Sequence, residues 1–139
     1  MDGTDFYYKR RGLGLTQEEL AGLLGVAERT VRRWEKNEMP IPDGAAGDLD
    51  DLHAAFGERV LSSVDSLIDQ MEQIEADAKA DEVERVVEIA SFKTPQSHEL
   101  AHPGESWEYH KALISTIGTI LAGEGYRVRF NTVTEEEQA

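Results

Sequence analysis

The stretch of residues 15–34, LTQEELAGLLGVAERTVRRW, constrains the fold of this chain more than any other part of the sequence. Thr16 followed three residues later by Glu19 is the pattern of a capping box, so a helix is predicted to begin at Gln17. This helix is predicted to end at Gly25, since glycine adopts the left-handed conformation that ends helices without steric strain. The stretch therefore opens with a short helix and a tight turn.

A second short helix is predicted over residues 28–36, directly after the turn. The apolar residues of the two helices form one predicted core, which comprises Leu20, Ala21, Leu24, Val31 and Trp34. The other sides of the second helix are basic and carry Arg29, Arg32, Arg33 and Lys36. Two helices, a glycine-bearing turn and a cationic exposed face predict a DNA-reading helix-turn-helix. The alternative, an amphipathic hairpin with solvated arginines, explains the charges but not the order of cap, turn and aromatic residue.

Residues 6–52 also resemble the helix-turn-helix of the Cro and phage-repressor (XRE-type) regulators. The resemblance is carried by Thr16-Gln17, Leu20-Ala21, Leu24-Gly25-Val26, Thr30-Val31 and Trp34-Glu35. It implies that a first helix over residues 1–11, with Phe6 and Tyr7 as core candidates, braces the other two. It also implies that the partner is double-stranded DNA.

Four residues of the second helix are predicted to contact base edges, because the first residues of a recognition helix enter the major groove. Arg29 and Arg33 lie one turn apart and can each make a bidentate contact with guanine. Glu28 can accept a hydrogen bond from cytosine N4, or can simply sit favourably at the helix N-terminus. Thr30 can supply a hydroxyl or a methyl group.

Five residues are predicted to contact phosphates. The resemblance assigns Gln17 to a phosphate at the start of its helix, where the backbone N–H groups also point. Lys36 and Asn37 are predicted to contact phosphates on the far side. Arg10 is also predicted to contact a phosphate, because it lies near the side of the first helix that faces the DNA backbone. Arg32 is either a phosphate contact or merely exposed.

The charge of the chain is unevenly distributed. The formal net charge is −14, yet residues 1–40 carry seven basic and seven acidic residues, so the remainder holds the whole excess. Screening over about 10 Å lets a positive face at one end act despite a distant negative body. The acidity is therefore compatible with DNA binding, although it leaves open a protein-interaction module, such as an antitoxin or acidic inhibitor, that works through its acidic C-terminal body.

Other classes of site find little support in the composition. There is no cysteine, which excludes disulfides and thiolate metal sites. No apolar run approaches 18 residues and no signal peptide opens the chain, so we expect a cytoplasmic protein of a bacterial or phage-infected cell without a membrane partner. We predict no enzymatic activity, no cofactor, no metal and no small-molecule ligand.

A long amphipathic helix is predicted to follow the linker at Pro40 and Pro42, with Asp43 as its N-cap. Its apolar residues recur at steps of three and four, namely Leu49, Leu52, Phe56, Val60, Val64, Leu67, Met71, Ile74 and Ala78. Two surfaces could cover the second half of this stripe. One is a two-chain coiled coil, and the other is the C-terminal part of the same chain.

The last third of the sequence changes to a strand-helix-strand pattern. Strands are predicted over residues 83–92 and 126–133, where β-branched and aromatic residues concentrate, and a helix over residues 106–122. Two strands make a marginal sheet with open edges, and a second subunit could pair them. We therefore predict a homodimer through the C-terminal domain.

The fold class that follows is mainly α, with an N-terminal helix-turn-helix bundle, a long linking helix and a small C-terminal α+β element. The predicted divisions are residues 1–57 for DNA binding, 58–80 for the linking helix, 81–134 for dimerisation and 135–139 for a disordered tail. This layout is similar to that of phage-associated regulators, including anti-CRISPR-associated repressors. The resemblance implies a homodimer that represses a short phage or prophage operon, which can be its own, through an inverted-repeat operator.

One motif points to different chemistry. Residues 98–102, HELAH, fit the H-E-x-x-H signature of zinc proteases, and His110 can be imagined as a third ligand. The pentapeptide lies between Pro95 and Pro103, which is too short a space for the long buried helix that normally presents this motif. We therefore predict a surface connector with one helical turn instead of a zinc hydrolase.

Overall fold

The computed structural model describes residues 1–78 and 85–133, which are mainly helical. In chain order the elements are α1 (Gly3–Gly12), α2 (Gln17–Leu24), α3 (Glu28–Glu35), α4 (Asp43–Asp77), β1 (Val86–Phe92), α5 (Pro95–Ala101), α6 (Trp107–Gly123) and β2 (Arg127–Val133). The predicted fold class is confirmed. The predicted beginning of the first strand and the predicted tail at 135–139 lie outside the described residues.

The local signals at both ends of α2 are confirmed. The Thr16 side chain accepts a hydrogen bond from the Glu19 amide at 3.0 Å, and the Glu19 carboxylate accepts one from the Thr16 amide at 3.1 Å, which completes the capping box. Gly25 has a φ of +70°, and the Val26 amide donates to the Ala21 carbonyl at 3.0 Å. This pair of features turns the chain from α2 towards α3.

The three N-terminal helices enclose a small apolar core. Phe6 and Trp34 meet edge to face with ring centroids 5.6 Å apart. The predicted core residues that are buried are Leu20, Ala21, Val31 and Trp34, and Leu24 is half-buried against them. The prediction that Tyr7 belongs to the core is wrong, because its side chain is exposed on the outer face of α1.

The beginning of α1 approaches the end of α3 so closely that only glycine fits at position 3. A Cβ atom on Gly3 would lie 2.4 Å from the Trp34 carbonyl oxygen and 2.6 Å from the Glu35 carbonyl oxygen. Gly3→Ala is therefore expected to lower the free energy of unfolding by about 1–3 kcal/mol, the usual cost of overpacking. Urea unfolding measures the change.

The matched control for this substitution is Gly57→Ala in the middle of α4, where a Cβ atom would meet nothing within 4 Å. Alanine there should raise stability by about 0.5–1 kcal/mol, because glycine is a poor helix former. If Gly3→Ala also raised stability, the close packing of α1 against α3 would be contradicted.

The long helix α4 begins one residue earlier than predicted. Pro42 occupies the N-cap position without a side-chain hydrogen bond, and Asp43 is the first helical residue. The negative charge of Asp43 interacts favourably there with the positive end of the helix dipole. Beyond the N-terminal bundle α4 packs against α6, and Phe56 and Tyr109 meet edge to face with ring centroids 5.4 Å apart. Val60, Val64 and Met71 of the apolar stripe are buried in the same core. Of the two surfaces proposed for this stripe, the structure therefore shows the chain's own C-terminal part.

Strands β1 and β2 form a two-stranded parallel sheet, with Val87 opposite Val128 and Ile89 opposite Phe130. Helix α6 covers one face of this sheet. It approaches β2 closely at Gly118, where a Cβ atom would lie 2.7 Å from the Phe130 ring. The opposite face carries an exposed ion pair between Glu88 and Arg129 at 3.5 Å.

The helical turn predicted at residues 98–102 is present, since residues 98–101 belong to α5, a helix of seven residues, and His102 is its C-cap. Residues 99–101 are exposed, but the predicted surface position is wrong for His98, whose side chain is only 2 % exposed. Thr94 caps this helix and Pro95 occupies its first turn, where a missing amide hydrogen costs nothing. The prolines therefore mark the boundaries of a short helix.

The N-terminal bundle contacts the C-terminal part of the chain directly. Gly14, with a φ of +73°, lies so close to α6 that a Cβ atom would be 2.5 Å from the Glu108 carbonyl oxygen. The Ser106 hydroxyl, at the N-cap of α6, donates a hydrogen bond to Glu19.

Among the described residues, no helix is long and apolar enough to cross a membrane.

Candidate nucleic-acid interface

The exposed side of α3 presents a cluster of cations. One surface groove is lined by Glu38 and by four basic side chains, namely Arg29, Arg32, Arg33 and Lys36. Within the described part of the chain, none of the four forms an ion pair or a side-chain hydrogen bond. A cationic groove with unpaired charges is the electrostatic surface that a phosphate backbone requires.

The other two predicted base-contact residues, Glu28 and Thr30, differ in exposure. Glu28 is exposed and lines a neighbouring cleft that also contains Arg11 and Gln17. Thr30 is half-buried. The beginnings of α2 and α3 thus open onto one cleft, while the arginines line the adjacent groove.

A buried ion pair holds the end of α3 against α1. The Glu35 carboxylate accepts hydrogen bonds from Arg10 Nε at 2.7 Å and Nη2 at 2.9 Å, and both side chains are less than a tenth exposed. Arg10 Nη1 also donates to the Leu15 carbonyl at 2.8 Å. All three guanidinium nitrogens therefore have hydrogen-bond partners inside the protein, which gives Arg10 a structural role in this arrangement.

The side chains of two more predicted phosphate contacts form hydrogen bonds within the protein. Gln17 Nε2 donates to Glu35 at 3.1 Å, which orients this half-buried amide at the start of α2. Asn37 has a φ of +58°, and its side-chain oxygen accepts a hydrogen bond from the Gly3 amide at 2.8 Å. Arg32 and Lys36 are exposed.

A comparison with protein families identifies the segment that carries this surface. A family model described as "Helix-turn-helix" matches residues 6–46. This segment is a Cro/XRE-type helix-turn-helix. No curated protein matches the chain.

The helix-turn-helix domain makes the protein a DNA-binding transcription regulator. The family match covers α1 from Phe6 onwards, α2, α3 and the first residues of α4. It therefore includes the cationic groove and the buried Arg10–Glu35 pair, and it excludes the sheet, α5 and α6.

A second group of functional side chains lies outside the helix-turn-helix domain. One oxygen of Glu105, Oε2, lies 3.8 Å from His98 Nε2, 3.5 Å from His102 Nδ1 and 3.7 Å from His110 Nδ1. These four residues are hereafter called the histidine cluster. The sequence motif indicated the three histidines but not Glu105, whose only signal is a carboxylate three residues after His102.

The protonation of the histidine cluster follows from its surroundings. Burial lowers the pKa of His98 and His110, and the neighbouring His102 lowers both further. Burial raises the pKa of Glu105, but the hydrogen bond and charge of Arg59 outweigh it, so the pKa is lowered overall. The cluster therefore combines neutral buried imidazoles with an ionised carboxylate.

Proposed function

We propose that the protein is a homodimeric repressor that binds an inverted-repeat operator, with its own promoter as the target. The observation that carries this proposal is the groove of unpaired cations on α3. The helix enters the major groove, Arg29 and Arg33 read guanines, and Glu28 and Thr30 contact neighbouring bases. Gln17, Arg32, Lys36 and Asn37 contact phosphates, whereas Arg10 supports the domain from within.

The sheet supports the dimer in this proposal. Parallel sheets occur almost only where both faces are covered, yet here one face of β1 and β2 is exposed. In the described residues neither strand has a second neighbour, so each has an unpaired edge. Dimerisation through residues 81–134 covers these groups and leaves residues 1–57 free to bind DNA.

The symmetry of the dimer determines how the two half-sites of the operator are arranged. A two-fold axis places the two α3 helices about 34 Å apart, one turn of B-DNA, and so requires an inverted repeat. The repressor acts in the cytoplasm of a bacterial or phage-infected cell. The phage or prophage setting belongs to the same proposal and rests on the layout shared with phage-associated regulators.

The test is a titration of two labelled duplexes across a salt series. One duplex comes from upstream of this gene, and the other has the same composition in scrambled order. We expect the upstream duplex to bind about a thousandfold more tightly or better, as specific regulators do. Sedimentation of the protein alone should give twice the mass of one chain.

Different outcomes contradict different parts of the proposal. Equal and weak binding to both duplexes would exclude autoregulation, and selection from random DNA would then identify the operator. A monomer at the concentrations that saturate the operator would contradict the dimer. Absence of duplex binding even at low salt would overturn the repressor itself.

A further inference from the structure

We propose that His98, His102, His110 and Glu105 together bind one divalent transition-metal ion of the Zn²⁺ class, in a structural site. The first observation is the distance between donor atoms. Zinc ligands lie about 2.0–2.2 Å from the ion, so neighbouring ligands of a tetrahedral site are about 3.3–3.5 Å apart. The three nitrogen-to-Oε2 distances in the cluster are 3.5–3.8 Å. One donor atom each from His98, Glu105 and His110 lie within 4.8 Å of one another, so these three ligands already converge, and His102 completes the set by a shift of its half-buried ring.

The second observation is that the cluster leaves its donor atoms without partners in the protein. Among the described residues, buried atoms without a hydrogen bond include His98 Nε2, Glu105 Oε2 and both ring nitrogens of His110. Buried polar atoms are normally paired, so four such atoms at one point need an explanation. A metal ion bound between them would satisfy three together, His98 Nε2, Glu105 Oε2 and one ring nitrogen of His110, while the other His110 nitrogen keeps its proton.

The backbone fixes where each ligand lies. His98 and His102 are one turn apart along α5 and its C-cap, so their rings share a side of the helix, with centroids 5.6 Å apart. His110 lies in the first turn of α6, and Glu105 lies in the connection between the two helices. The Phe92 ring, at the end of β1, packs within 5.6 Å of all three imidazoles and closes the apolar side.

The ligand set indicates a structural site and not a hydrolytic one. Three imidazoles and one carboxylate complete a tetrahedron, whereas catalytic zinc keeps a position open for water. The glutamate of the H-E-x-x-H motif, Glu99, is not in the cluster, since its carboxylate accepts a hydrogen bond from the Gly104 amide at 3.2 Å. The base that a zinc protease needs is therefore not directed at the ion.

An outer group orients the carboxylate. Arg59 of α4 donates a hydrogen bond to Glu105 Oε1 at 2.6 Å, which leaves Oε2 facing the histidines. Such outer partners fix the ligand and neutralise its charge. The ion would then join α4, α5 and α6, and it would hold the connection beside Ser106, whose hydroxyl contacts Glu19 of the helix-turn-helix domain.

The test is a titration of the chelator-treated full chain with Zn²⁺ and, separately, with Co²⁺. We expect one ion per chain, a visible absorption band of tetrahedral Co²⁺, and a melting temperature that rises with Zn²⁺. His102→Ala removes a ligand that is 39 % exposed, so the variant should still fold. It should bind Zn²⁺ more than about a hundredfold more weakly, because loss of an outer partner alone costs about 10–100-fold.

The chain supplies matched controls. His53→Ala removes an exposed histidine of α4 outside the cluster and should leave affinity unchanged. Glu105→Gln should lose the ion, whereas Glu99→Gln should retain it. If the wild-type chain bound neither ion at one per chain, or if His102→Ala and His53→Ala bound equally well, the cluster would be a packed group of histidines and the proposal would be overturned.

Discussion

Replacing Glu35 with alanine is expected to lower the free energy of unfolding by about 3–5 kcal/mol, the cost of leaving one member of a buried ion pair alone. The Glu35 side chain is 5 % exposed and pairs with the Arg10 guanidinium, which is 7 % exposed. Alanine leaves that guanidinium charged and buried, and it also releases Gln17 Nε2. Folded domains are stable by only about 5–15 kcal/mol, so this loss is a large fraction of the total.

Urea unfolding followed by circular dichroism measures this effect, with Glu38→Ala as the control. Glu38 is also an acidic residue near the end of α3, but it is exposed, so its removal should change stability by less than about 0.5 kcal/mol. A second variant isolates the charge. Arg10→Met combined with Glu35→Leu removes both members of the pair, and it should be more stable than Glu35→Ala because no unpaired charge remains.

A wild-type stability for Glu35→Ala would mean that the pair is solvated in solution. The same result would restore Arg10 as a possible phosphate contact, because its guanidinium would then be free to turn outwards. The stability of this one variant therefore decides between the two positions of Arg10, inside the domain or against DNA.

The parts of the fold that the sequence predicted well are those set by neighbouring residues. The capping box at Thr16 and the left-handed Gly25 each depend on residues within one turn, and both are confirmed. The Arg10–Glu35 pair joins residues 25 positions apart. Arginine and glutamate are both common on exposed surfaces, so no local sequence pattern distinguishes this buried pair from solvated charges.

The burial of the histidine cluster and the position of Glu105 were not predicted, for a related reason. The bracketing prolines indicated a single turn of helix on the surface at HELAH, but Pro95 lies in the first turn of a seven-residue helix whose His98 side chain is buried. The position of Glu105 depends on how the connection between α5 and α6 folds back, and on Arg59 from a helix that lies far earlier in the chain. Only the packed structure brings these groups together.

Arg33→Ala is expected to weaken binding to the operator by about 1–3 kcal/mol, or roughly 5–150-fold, because it removes a bidentate contact with guanine. Binding to scrambled duplex should change little. Arg33 has no ion pair within the described residues, so the variant should keep the stability of the wild type. Titration of both duplexes at fixed salt, with circular dichroism as the folding check, measures each part of the prediction.

Lys36→Ala is the matched comparison, because Lys36 lines the same groove but lies at the end of α3, on the phosphate side. Its loss should weaken both duplexes equally and reduce the salt slope by about one. If Arg33→Ala behaved in the same way, Arg33 would be a phosphate contact. Sequence reading would then depend on Glu28, Arg29 and Thr30 at the start of α3, and the operator would be read by one turn of the helix instead of two.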